Sequence, residues 1–183
     1  MNIIQEYHKQ KLVPFGEFLP FEKFLNRVGI KKITEGYSSF LIGREQKNLV
    51  INNLNILPLI CYEVIFTKFI QRSDLKTNLI INISEDGWFG NSIGPYQHFI
   101  KGVYRAIEQN SFLIRSTNKG LSLIINNKGE IVKKLNPNET GNLELEVPLV
   151  QNKNKNKNKN DLIFFGLLIT YVLFFLFLRK KYE

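Results

Sequence analysis

The chain has 183 residues, 44% of them hydrophobic, which is enough for one packed domain plus an appendage. Its formal charge is +9, but residues 151–183 carry +5 of this and residues 1–150 only +4, which argues against a nucleic-acid-binding surface on the body of the chain. One cysteine excludes an internal disulfide and leaves the redox compartment open.

The first ten residues, MNIIQEYHKQ, lack the long apolar core of a signal peptide. In YHKQKLVPFGEFLPF (7–21), Pro14 and Pro20 break regular structure and Gly16 permits a tight turn. On composition, Lys9 and Lys11 read as solvated surface residues. The functional alternative is a lysine held near an anionic intermediate, with Glu17 closing the turn.

NILPLIC (55–61) reads as a strand and YEVIFTKFIQRS (62–73) as a helix. Cys61 stands at their junction. It is either a small buried hydrophobe beside Leu59 and Ile60, or a nucleophile at a helix N-terminus that favours thiolate and supplies oxyanion donors. NLIINIS (78–84) is a second strand. The following SEDGWFGNSIGPYQHF (84–99) has loop composition at a strand's C-terminal end, where α/β sites gather. Trp88 and Phe89 lie in that loop. His98 opens an amphipathic helix over 95–111, with an expected apolar stripe through Phe99, Val103 and Ile107, as either a base or a structural hydrogen-bonder.

SFLIRST, LSLIINNKGEIVKKL and NLELEV read as strands, with NNKGE as a hairpin turn and Arg115, Asn118 and Gly120 as a polar connection. Strand–helix alternation followed by hairpins predicts an α/β layered fold with a mixed sheet over residues 1–150. QNKNKNKNKN begins a flexible Asn/Lys linker over 151–161. Residues 162–178 are apolar almost throughout and predict a transmembrane helix of about 26 Å, followed by a basic tail, 179–183. Lysines flank both ends, so charge alone does not orient the span.

Taken together, YHKQKLVPFGEFLPFEKFL, ICYEVIF, NISEDGWFGNSIGPYQHF, RAIEQNSFLIRSTNKG and the apolar segment resemble the apolipoprotein N-acyltransferases, the membrane-bound branch of the nitrilase superfamily. The resemblance implies a partial nitrilase-like αββα sandwich (a carbon-nitrogen hydrolase domain) followed by a transmembrane helix. It implies Cys61 as nucleophile and Lys9 as its catalytic lysine, with Glu17, Tyr62 and Glu63 supporting and Trp88, Phe89 and His98 as pocket candidates. The implied reaction moves a phospholipid acyl chain through a Cys thioester to the N-terminal amine of a diacylglyceryl-cysteine lipoprotein, with no metal or cofactor and no nucleic acid.

The implied location is the inner membrane, with a single span in this chain and the globular part periplasmic. Family members usually read SNDAWFG where this chain has SEDGWFG, so Glu85 adds a charge at the pocket rim. They also carry several spans and a general-base glutamate upstream of the lysine motif. Here only Glu6 precedes Lys9 and it matches no such motif, so no general base is assigned. The expectation is a C-terminal portion: active, an inactive truncated remnant, or one half of an enzyme whose N-terminal half is separately encoded.

Overall fold

Alternating apolar residues build the globular part around one mixed sheet. A computed structural model describes residues 3–31, 39–44, 48–70, 77–136, 139–148 and 157–182, in two units, Met1–Asn152 and Lys153–Glu183. In the first unit, β1 (Leu49–Ile51), β2 (Leu54–Ile60), β3 (Leu79–Glu85), β4 (Phe112–Asn118), β5 (Leu123–Ile125) and β6 (Ile131–Lys134) lie side by side in chain order. The central trio β2, β3 and β4 is parallel, and both flanks are antiparallel. Parallel neighbours need crossovers, and these connections carry the helices. The mixed sheet is therefore as expected; the described residues contain one sheet.

β1 lies outside the strands anticipated from sequence. It pairs with β2 through Asn52 and Asn53, both left-handed at φ 46 and 65, the backbone that a two-residue hairpin favours and asparagine tolerates. The 62–73 helix is corrected. Cys61–Ile65 form a 3-10 turn and only Thr67–Ile70 (α2, after α1 at Glu22–Arg27) are α-helical; residues 71–73 lie outside the described residues. β-branched and aromatic residues crowd this stretch and weaken any helix.

α3 (Gly94–Gln109) matches the expected helix, with Pro95 in its first turn. Its buried stripe, however, runs through Pro95, His98, Gly102, Arg105 and Ala106; Phe99 and Val103 flank it and Ile107 is exposed. NLELEV (142–147) forms no strand, yet its alternation is used: Leu143, Leu145 and Val147 pack on Leu79, Phe112 and Ile124 beneath the sheet.

The larger core lies on the other face. Leu57, Leu59, Ile80, Leu113, Leu123 and Ile125 from the strands meet Val64, Ile70 and Ala106 from the crossovers. Each of the leucine, isoleucine and valine side chains contributes roughly 1.5–3 kcal/mol on burial. This layer carries the helices and places the ends of β2, β3 and β4 along one rim.

In the second unit, α4 spans Lys157–Tyr182, so residues 157–161 of the expected linker are helical; residues 151–156 lie outside the described residues. Leu162–Arg179 is long and apolar enough to cross a membrane by length and composition. The hydroxyl of Thr170 donates to the Leu167 carbonyl at 2.8 Å, which satisfies it within the helix.

Candidate active site

β2 ends at Ile60, and the chain turns sharply at Cys61, whose φ is 52. A residue with a Cβ pays of order 1–3 kcal/mol for such a left-handed conformation, so the surrounding structure must hold it there. The turn lifts Cys61 to the C-terminal rim of the parallel strands, the position where open α/β sheets bind ligands. The expected helix N-terminus is reduced to the 3-10 turn.

Lys9 comes from a segment, residues 3–13, with no helix or strand of its own. Glu63 holds that segment. Fully buried, its Oε1 accepts from the amides of Gln10 at 2.6 Å and Lys11 at 3.1 Å. Its Oε2 accepts from the Tyr7 hydroxyl at 3.0 Å and the Ile60 amide at 2.7 Å. One carboxylate thus ties the lysine segment to the backbone that precedes the cysteine. Burial, then the Glu63 charge and hydrogen bond, push the Tyr7 phenol well above its ordinary range, so it remains a donor. The Lys9 carbonyl accepts from the Gly43 amide at 2.7 Å, and a Cβ on Gly43 would lie 2.4 Å from the His8 oxygen, so only glycine fits there.

Lys9 Nζ donates to Glu17 Oε1 at 2.5 Å, and Glu17 Oε2 accepts from the Val13 amide at 2.9 Å. The pair is largely buried, which orients the ammonium. Glu63→Gln leaves one of these acceptor positions as a donor. It is expected to destabilise the domain by about 1–3 kcal/mol and to speed amide hydrogen exchange at Gln10 and Lys11. Unchanged exchange at those two amides contradicts the tethering role.

A cleft of about 550 Å³ gathers the expected residues: Lys9, Glu17, Cys61, Tyr62, Trp88, Phe89 and His98 all line it. Ile60, Ile65 and Ile83 add apolar wall. Glu63 lies beneath rather than in the wall. Glu85, at the rim, accepts from the Gly87 amide at 2.8 Å and from Asn118 Nδ2 at 2.7 Å, so its charge is engaged locally.

Behind the cleft lies a polar network in which His98 and Arg115, the latter read from sequence as part of a polar strand connection, join Asp86, Asn82 and Ser84. Asp86 and Arg115 are buried and joined at 2.7 Å; Arg115 also donates to Asn82, and Ser84 Oγ donates to Asp86 Oδ1 at 2.8 Å. His98 Nδ1 lies 3.0 Å from Asp86 Oδ1, and Nε2 lies 3.2 Å from the Cys61 carbonyl. Burial alone would raise the Asp86 pKa; the contact with His98, the Arg115 charge and the Ser84 hydrogen bond outweigh it and hold the carboxyl below its usual range. A Cβ on Gly120 would lie 2.4 Å from Asp86 Oδ2, so the strand connection leaves room for this carboxylate. The available signal is parity: Ile80, Asn82, Ser84 and Asp86 are buried, whereas Ile81, Ile83 and Glu85 are less so.

A family model for carbon-nitrogen hydrolases matches residues 1–153. The apolipoprotein N-acyltransferase of Rickettsia typhi is 44% identical over 144 residues, 78% of this chain and 28% of that protein. That of Rhodopseudomonas palustris is 40% identical over 148 residues, 80% of this chain and 28% of that protein. The chain thus spans under a third of the length of these relatives. A CN-hydrolase superfamily protein from Xanthomonas campestris, solved with an arsenic adduct in its active site, is similar at a TM-score of 0.51 and 19% identity, over 74% of this chain and 49% of that one.

Proposed function

Because this chain belongs to the carbon-nitrogen hydrolase family, we propose that its cleft carries out acyl transfer from a phospholipid to a lipoprotein amine, with Cys61 as nucleophile. The observation that carries the reading is the convergence of Lys9, Glu17 and Cys61 on one cleft with apolar walls. Relatives 40–44% identical are named for this reaction.

The thiolate attacks the ester carbonyl of the donor. The S–C bond forms, the ester C–O bond breaks, and the lysophospholipid alkoxide leaves with a proton. The amine of a diacylglyceryl-cysteine then attacks the thioester, loses a proton, forms the amide and returns the thiolate; amide formation from a thioester is downhill. Lys9 faces the negative charge that develops on the carbonyl oxygen in both halves. Trp88, Phe89 and the isoleucines of the wall suit an acyl chain, with Tyr62 beside the nucleophile. The apolar helix of the second unit fits anchoring in the inner membrane with the cleft on the periplasmic side, where both substrates meet the lipid surface.

Detergent-purified chain given phospholipid with a labelled acyl group is expected to acquire hydroxylamine-labile label and pass it to a diacylated lipopeptide. Absence of label both from the chain alone and from the chain co-expressed with the upstream half of a relative contradicts the reading.

A second observation bears on the proton acceptor. Among the described residues, the carboxylates lining the cleft are Glu17 and Glu85, and both are engaged, with Lys9 and the Val13 amide and with Gly87 and Asn118. We infer that the base for the Cys61 thiol comes from another segment, such as a separately encoded N-terminal half. General-base catalysis typically contributes 10²–10⁴-fold, and that is the gain expected when the upstream half of a relative is co-expressed with this chain. Full activity of the chain alone overturns this second reading but not the first.

A further inference from the structure

We infer that His98 is a positioning residue that holds Cys61 in its left-handed conformation by gripping the cysteine's carbonyl rather than its thiol. The inference rests on Cys61 being the nucleophile and is independent of which acyl donor or acceptor it serves.

The Cys61 carbonyl can only accept, so His98 Nε2, 3.2 Å away, donates to it. The grip is tertiary, because His98 belongs to α3 and Cys61 to the turn after β2. The ring itself is fixed from behind. With the proton on Nε2, Nδ1 is an acceptor and takes a hydrogen bond from Arg115 Nη2 at 3.1 Å, itself held by Asp86 at 2.7 Å; Asp86 Oδ1 and Ser84 Oγ lie beside it at 3.0 and 3.5 Å. Groups from β3, the following 3-10 turn (Asp86–Phe89) and β4 therefore converge on one ring nitrogen, and the other is committed to Cys61. Neither nitrogen remains for the thiol, which sets this residue apart from a catalytic base.

The consequence follows from peptide geometry. A trans peptide is planar, with its N–H opposite its C=O. Fixing the Cys61 carbonyl fixes the Tyr62 N–H on the other side of the same plane. Without the grip, a residue bearing a Cβ drifts from positive φ towards the ordinary regions, and the aim of both thiol and N–H is lost.

The test uses the full chain in detergent and needs no acyl substrate. Iodoacetamide alkylation reports on Cys61 alone, since it is the sole cysteine. His98→Gln keeps an N–H donor near the Nε2 position; His98→Asn keeps polarity on the Nδ1 side only; His98→Phe keeps the ring without donors. Alkylation is expected to slow about tenfold in the Asn and Phe variants and to stay within about threefold of the parent in the Gln variant, the range one hydrogen bond commands.

A purely structural role would lower the melting temperature of all three variants and, by loosening the site, leave alkylation unchanged or faster. Parental rates in the Asn and Phe variants overturn the inference, as does equal slowing in Gln and Asn. If His98→Phe fails to fold, the Gln–Asn contrast decides. Should the alkylation pattern hold where no acyl label forms even with an upstream half present, acyl transfer fails as the function and the positioning role stands.

Discussion

Cys61→Ala is expected to take up no acyl label at all, and Lys9→Met to take it up about 10²–10³-fold more slowly than the parent chain. The measurement is early-time, hydroxylamine-labile label, in whichever preparation is active, the chain alone or with an upstream half. Alanine removes the only sulfur that could form a thioester here, and it retains the Cβ, so the strain at φ 52 is unchanged and the fold is a fair comparison. Methionine keeps the length and apolar stem of Lys9 but removes the ammonium that Glu17 orients at 2.5 Å. Retention of label by Cys61→Ala disproves the nucleophile assignment; a parental rate in Lys9→Met removes the oxyanion role and leaves the lysine as a structural partner of Glu17. Cys61→Gly supplies an internal check on the backbone. It is expected to melt above Cys61→Ala, because glycine occupies a left-handed φ without the roughly 1–2 kcal/mol that other residues lose there.

The junction at Cys61 was legible in the sequence as the point where an apolar run stops. Its left-handed backbone was not, because the groups that hold it lie on α3 and β4, far along the chain. Lys9 and Glu17 illustrate a different gap. Their segment has no periodicity to read, and its position depends on Glu63, fifty-two residues beyond Lys11 and buried beneath the cleft. The motif identified the lysine, whereas the clamp emerges only from the fold. NLELEV reads as a strand, but no ladder forms; its alternation shows instead in the half-buried Leu143, Leu145 and Val147. Periodicity reports which face is covered, and hydrogen-bond pairing is a separate fact. Of the adjacent acids, the sequence reading singles out Glu85 and leaves Asp86 unassigned. The two diverge because strand parity sends Asp86 inward to Arg115 and leaves Glu85 at the rim to cap Gly87.

That inward acid is where the largest loss of stability is expected. Asp86→Ala strands the Arg115 guanidinium, 1% exposed, without its counter-charge, and breaking one side of a buried pair costs about 3–5 kcal/mol. Arg115 is already under strain from its surroundings: burial depresses its pKa, and the Asp86 charge and hydrogen bond work against that. For a domain of this size the melting temperature should fall by roughly 10 °C or more. Removing the arginine as well, as Asp86→Ala with Arg115→Met, is expected to recover part of the loss, since no unpaired charge remains. Strict additivity of the two single losses would mean the pair is not coupled as the 2.7 Å contact indicates. The pH dependence has a definite sign. The folded-state pKa of Asp86 lies below its ordinary value, so its contribution is complete above the unfolded pKa of about 3.9 and is lost as pH falls through the lower folded value. Melting curves between neutral pH and acid should therefore drop for the parent chain below about pH 4 and drop less steeply for Asp86→Ala. Parallel curves would show that Asp86 does not set the acid sensitivity of the fold.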